Sequence, residues 1–342
     1  MRRRALSLWL AAAAVGQGCA EAPARSAGAL APARAAPLAT PWRVLRGGFL
    51  STGPARLLPP PAARPGSGAW VRLQAPAAIA LRDQELLVAD LAASVVWRAD
   101  LAFDTLQPLM VPAVSAQTRL LFGPDLSAWV LDPRSRQVLR FDRQGRLLQT
   151  WRGPGPTAPL ASMALLDGGH SLLLVEAGSA QWQELRSGGA VGLTVRPRHA
   201  DGRRLASVAA LVTVAQAAGT AAATAGADRL FVLDALTPAV HEVDREGRVR
   251  SSRPLPAGVL AVDLAADRRG RVWVLDAAGR CLWLPGADAP AQRTDLAPLG
   301  VLDPAALASD DMRLALADRA GGQVVLLRLA GTMAEWQDGA PT

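Results

Sequence analysis

The stretch Leu87-Val88-Ala89-Asp90 closes a short apolar run on an acid, and the same arrangement returns five more times. The later copies are Trp129-Val130-Leu131-Asp132, Leu173-Leu174-Val175-Glu176, Phe231-Val232-Leu233-Asp234, Trp273-Val274-Leu275-Asp276 and Ala315-Leu316-Ala317-Asp318. Successive acids lie 42, 44, 58, 42 and 42 residues apart, and an apolar side chain follows each after six residues: Val96, Val138, Trp182, Val240, Leu282 and Val324. A period of 40 to 45 residues holding several short strands is the sequence mark of a β-propeller, one repeat to one four-stranded blade. Six repeats therefore predict an all-β fold, a six-bladed β-propeller of four-stranded antiparallel blades. A lone blade cannot bury both faces, whereas blades stacked in a ring shield one another and leave only short edges.

From Pro76 onward each unit divides into four strands. The first reads AAIAL, ELLVAD, SVVWRAD and LQPLMV; the last reads LASDD, MRLALAD, QVVLLRL and TMAEWQ. Asp142-Arg143-Gln144-Gly145 and Asp244-Arg245-Glu246-Gly247 mark hairpins between third and fourth strands, with glycine supplying positive φ. The long step falls on Ala215 to Ala225 and its flanks, an Ala/Thr/Gly tract expected as a loop extension near the first strand of blade four. Trp42 to Trp70 falls outside the repeat; one place for it is an outer strand closing the ring against the last blade.

The N-terminus reads as an export address. Arg2-Arg3-Arg4 precede an apolar segment, Ala5 to Gly16, which suits a signal peptide and is too short to span a bilayer, a task needing roughly 20 residues. Gly16-Gln17-Gly18-Cys19 resembles a bacterial lipobox, which implies that Cys19 becomes a lipid-modified N-terminus; cleavage near Ala20 or Ala22 is the alternative. Ala20 after the cysteine resembles lipoproteins sorted to the outer membrane of Gram-negative bacteria. The Ala/Pro-rich stretch that follows has no strand or helix period and reads as an extended spacer. The expected organisation is a signal peptide over 1–19, a linker over 20–41 and the propeller over 42–338.

The net charge is +8, and three of those charges (Arg2, Arg3, Arg4) sit in the leader. Lys, Asn and Tyr are absent and Ile79 is the sole isoleucine, the pattern of a GC-rich genome, so arginine richness alone does not point to nucleic acid. A nucleic-acid binder gathers its cations on one face, and none is expected here. With two cysteines, a disulfide scaffold is excluded, and Cys281, inside the strand RCLWL, reads as a small buried apolar residue.

The units resemble NHL-repeat propellers. Val88-Ala89-Asp90, Phe141-Asp142 with Gly145, and Val243-Asp244 with Gly247 carry the likeness, which spans roughly Pro76 to Gln337. The family's loop Asn and Arg are missing in most units, so the resemblance implies the six-bladed ring and no ligand mode.

No catalytic set stands out. Gluconolactonase-like propellers hold a divalent cation with Glu, Asn and Asp, and this chain has no Asn. Amidating-lyase-like propellers bind zinc with three histidines; His170, His199 and His241 occupy unequal repeat positions and are not expected to converge. GxSxG, HxxxH and CxxC spacings are absent. The six repeat acids could form a cation collar, but turn acids repeated with the blade are the simpler reading. Trp129, Trp273 and Phe231 share one repeat position and read as packing between blades. Topology puts the loops between second and third strands on the same side as the connections between blades. That side carries Arg134, Arg136, Arg196, Arg198, Arg203, Arg204, Arg280 and Arg319, whose guanidinium forks suit carboxylate or phosphate groups. The expectation is a non-enzymatic, monomeric cell-envelope binding or scaffold protein without cofactor or metal. It would be lipid-anchored in the periplasm or outer membrane and bind an envelope protein or anionic surface component. The competing expectation is a periplasmic metal-dependent hydrolase or lyase with its site in the central channel.

Overall fold

Between their terminal residues the second strands are continuously apolar, and this pattern, rather than alternation, marks strands covered on both faces. Glu85–Asp90, Ala128–Asp132, Val272–Asp276 and Arg313–Asp318 are buried from end to end. Fourth strands such as Leu147–Arg152 and Gln292–Asp295 are largely exposed, as the outer rim of a ring requires. The computed structural model describes residues 39–51, 69–153, 159–186, 189–214, 228–234, 236–267, 269–286 and 289–330. The leader with Cys19, most of the linker, the tract from Ala215 and the stretch TMAEWQ lie outside the described residues.

Six antiparallel blades form in chain order. Their first strands, which line the axis, are Pro76–Arg82, Arg119–Phe122, Leu160–Leu166, Ala210–Val214, Ala261–Ala266 and Pro304–Ser309. Each packs beside the next, and the sixth packs beside the first, so the ring is closed. The core divides accordingly into six apolar clusters, one at each junction between neighbouring blades. Trp129, Trp273 and Phe231 are buried in three of them, between blades two and three, five and six, and four and five. Cys281 is buried at 1% exposure, and burial pushes its thiol above the usual range, so it packs as an inert core residue.

The fourth strand of blade six comes from the other end of the chain. Ala39–Leu45 pairs antiparallel with Gln323–Leu329, from Ala39 opposite Leu329 to Leu45 opposite Val324. This corrects the expectation that TMAEWQ supplies that strand, because the edge it would need is already paired. It also places a strand inside the stretch assigned to the linker. Pro41 is tolerated because an outermost strand has a free edge where no N–H is required, and the register shifts between Pro41 and Arg43. Gly47–Leu50 then crosses to blade one and adds a parallel fifth strand outside Thr105–Leu109, with Trp70–Arg72 as a sixth. Gly48 is required there, since a Cβ would stand 2.7 Å from the Asp104 carbonyl oxygen and 2.9 Å from Leu106 Cγ.

The expected extension in blade four falls between its first strand, Ala210–Val214, and its second, Arg229–Asp234. The expected hairpin glycines, Gly145 and Gly247, take φ of 81° and 82°.

Candidate functional site

Five of the six acids close their own turns. Asp90 accepts backbone N–H bonds from Gln74 (2.7 Å), Ala75 (3.0 Å) and Ala93 (3.2 Å). Asp234 accepts from Ala206, Leu236 and Thr237, and Asp318 from Asp303, Gly321 and the Gln323 amide. Asp132 holds the Arg134 N–H and the Ser135 hydroxyl, and Asp276 holds the Gly279 N–H. Asp90, Asp234 and Asp318 thus clamp both their own turn and the chain entering the first strand. Glu176 differs: it is 30% exposed and, among the described residues, accepts only from Arg136, at 3.3 Å. With their oxygens committed to N–H groups, these carboxylates are structural. Among the described residues no group of three or more His, Cys, Asp or Glu is placed to hold a metal ion.

The eight arginines are spread around the ring rather than gathered. Arg134 and Arg136 lie on blade two, Arg280 on blade five and Arg319 on blade six, while Arg196, Arg198, Arg203 and Arg204 share the connection from blade three to blade four. Three are neutralised: Arg136 by Glu176, Arg203 by Asp201 at 2.6 Å and Arg319 by Asp303 at 2.7 Å. Arg196 donates to the Gln181 side-chain oxygen at 2.9 Å. Arg134, Arg198, Arg204 and Arg280 are exposed and make no side-chain hydrogen bond or ion pair among the described residues.

The connection from blade three folds into a small hairpin. His199 N–H donates to the Arg203 carbonyl at 2.7 Å, Gly202 N–H to His199 at 2.9 Å and Leu205 N–H to Pro197 at 3.0 Å. It docks on the start of blade four's outer strand, where Arg198 N–H donates to Gly247 and Val249 N–H to Arg198. Two of the three histidines meet here, which the repeat positions concealed: the His199 and His241 rings are 5.2 Å apart and edge-to-face. His170 is elsewhere, exposed beside the turn Asp167–Gly169. His241 Nδ1 lies 2.8 Å from the Ser252 hydroxyl, and its Nε2 is buried without a partner. Burial, and then the neighbouring His199, hold the His241 pKa below its ordinary value. No carboxylate hydrogen-bonds this ring among the described residues, so the serine–histidine contact lacks the third member of a triad.

The first strands enclose a cavity of about 540 Å³ along the axis. Two charged residues enter it at one height. Arg119 on blade two pairs with Leu131, and Asp263 on blade five pairs with Leu275, each the residue just before its blade's acid. Blades two and five stand opposite each other in a ring of six. The equivalent positions elsewhere are Ala78, Ser162, Ala210 and Ala306. Asp263 accepts N–H bonds from Leu264 (3.0 Å) and from Leu307 of blade six (2.9 Å). Burial pushes its carboxyl above the usual carboxylate range, against the pull of the Arg119 charge. Arg119 Nε is buried without a partner.

This pair was missed in the sequence; its signal was a charge interrupting an inner strand where sister blades carry Ala or Ser. A second series of acids was missed as well. Asp83, Asp125, Asp167, Asp267 and Asp310 stand at or beside the turns between first and second strands, at nearly the same period as the first series. Arginines hold four of them: Arg140 on Asp125, Arg245 on Asp167, Arg271 on Asp267 and Arg313 on Asp310.

The chain is therefore a six-bladed propeller of antiparallel four-stranded units, with two further strands outside blade one. It is similar to a streptogramin B lyase, with a TM-score of 0.53 and 12% identity over 76% of this chain and 84% of that one. Virginiamycin B lyase from Staphylococcus aureus aligns with a TM-score of 0.51 and 12% identity, over 72% of this chain and 78% of that one. The WD40 β-propeller domain of Doa1 gives 0.51 and 10%, over 75% and 79%. At such identities the likeness is one of fold. No protein-family model matches the chain, and no curated protein sequence matches it.

Proposed function

We propose that this chain is an exported, NHL-like binding propeller of the bacterial envelope, anchored through a lipid on Cys19 and engaging an anionic partner through its arginine-bearing side. The observation that carries this reading is that Arg134, Arg198, Arg204 and Arg280 are exposed and have no carboxylate partner among the described residues, whereas Arg140, Arg229 and Arg271 are held by Asp125, Glu242 and Asp267. Uncommitted guanidinium forks keep their donors for an incoming carboxylate or phosphate. The test is crosslinked recovery from envelopes, comparing the native chain with one carrying all four arginines as glutamine. A partner retained by the native chain and lost by the variant is expected; equal recovery from both would refute the reading. Labelling with palmitate, lost in Cys19→Ala, tests the anchor.

A hydrolase or lyase acting in the channel is the second reading. Asp263 favours it, because a carboxyl in the channel whose pKa burial raises is suited to general-acid work, and two of the similar structures are lyases. Metal content and turnover of the purified protein decide it: turnover lost in Asp263→Asn, with partner recovery intact, would favour the enzyme.

A further inference from the structure

Arg198 is bridged to Arg204 on one side, antiparallel, and to Arg248 on the other, parallel. Residues directly opposite in adjoining strands point to the same face with Cβ atoms about 5 Å apart. Three arginines therefore leave one face of the docked hairpin in a row, and all three are exposed. Like charges placed opposite one another across strands destabilise the pairing, yet no carboxylate among the described residues pairs with this row. Asp201 holds Arg203, and Asp244 holds Arg250 at 2.6 Å. Glu246, exposed on the neighbouring turn, makes no ion pair among the described residues. A cleft of about 430 Å³ opens beside the row, lined by Arg198, His199, Gly202, Arg248 and Arg250. The backbone is fixed beneath it: His199, the next residue, meets His241 against the blade, with Pro197 and Leu205 buried on either side.

We propose that the Arg204–Arg198–Arg248 row is a phosphate-binding site, a reading that rests on and sharpens the anionic-partner proposal. A phosphate group brings a charge near −2 and three acceptor oxygens, which matches several guanidinium forks where a carboxylate satisfies one. The phosphate could be free or belong to a phospholipid headgroup, and the two are separable by experiment.

The purified full-length protein is titrated with sodium phosphate against sodium chloride at matched ionic strength, following heat of binding and Tm. A second arm uses sedimentation with vesicles of phosphatidylcholine, with and without phosphatidylglycerol. Arg198→Gln, Arg204→Gln and Arg248→Gln are compared with Arg72→Gln and Arg152→Gln, exposed arginines on outer strands of blades one and two, away from the row. Each row substitution is expected to weaken phosphate or anionic-vesicle binding about tenfold or more, as loss of a charge-assisted bond implies, while the distant pair leaves it unchanged. In phosphate-free buffer the same row substitutions raise Tm, because they relieve repulsion; a defect of folding would lower it. Binding of phosphate alone identifies the free ion, and binding only of phosphatidylglycerol vesicles identifies the headgroup. A phosphate response no larger than that to chloride, with no vesicle binding, overturns the proposal, and so does binding that survives in the row variants. Phosphate bound by the row, with envelope recovery unaffected by the arginine substitutions, would remove the partner reading and leave this site standing.

Discussion

Replacing Asp90 with alanine tests whether the repeat acids hold turns or hold cations. The side chain is fully buried and accepts three backbone N–H bonds, two from the chain entering blade one and one from its own turn. Stranding a buried donor costs about 1 to 3 kcal/mol. Partial relaxation of this segment brings the expected loss to about 3 to 5 kcal/mol, near the upper end for a point substitution. At about 2 to 4 °C per kcal/mol for a chain of this size, Tm falls by roughly 10 °C. Glu176→Gln is the internal comparison: its carboxylate is 30% exposed and, among the described residues, meets only Arg136, so its loss stays within about 0.5 kcal/mol. Differential scanning calorimetry of both variants, with and without millimolar calcium or magnesium, reads the contrast directly. Equal losses at the two positions, or a divalent-dependent rise in the native Tm that either variant abolishes, would refute the turn assignment in favour of a cation collar.

Three further outcomes follow from the geometry. Burial lowers the His241 pKa in the folded chain, so the unfolded chain takes up the proton first; stability is full above about pH 6.5 and declines as pH falls. His241→Phe should flatten that slope between about pH 7 and 5 in thermal melts, and an unchanged slope would show the group is not responsible. Burial raises the Asp263 pKa, so its ionised form is a cost that appears as pH rises through the carboxylate range. Asp263→Asn, which keeps an acceptor for the Leu307 N–H, should raise Tm at pH 7 and leave it unmoved near pH 3; a fall at pH 7 would contradict this. Leu45→Ala removes a side chain buried at 4% exposure between the closing strand and blade one, and denaturant titration should show a loss of about 2 to 4 kcal/mol.

The blades were legible because each second strand is sealed on both faces and ends on a buried acid, so one constraint is written six times. The acids' structural role followed from that same repetition. The closing strand was legible in part: the stretch from Trp42 reads as an outer strand against the last blade, as Trp42 to Leu45 are, but Ala39 to Pro41 continues a composition shared with the linker, and Gly47–Leu50 and Trp70–Arg72 turn instead to blade one. TMAEWQ offered a plausible strand where the ring had no vacancy. Which of the eight arginines are paired was not readable, because whether Arg203 or Arg198 is free depends on which carboxylate lies nearby in space. Arg248 escaped notice because it belongs to a hairpin of blade four, and only the docking of the 197–205 loop brings it beside Arg198. His199 and His241 met for the same reason, across a connection that has no counterpart in the other blades.

Because Ala39–Leu45 zips onto Gln323–Leu329, the earliest-made strand of the ring can find its seat only after a strand made about 280 residues later. During synthesis five blades can stack while this segment stays unpaired, and the circle locks in a single late event that joins distant parts of the chain. Such late, long-range pairing slows folding. It also makes the seam between the two ends the place where pulling on the start of the polypeptide would first unfasten the ring.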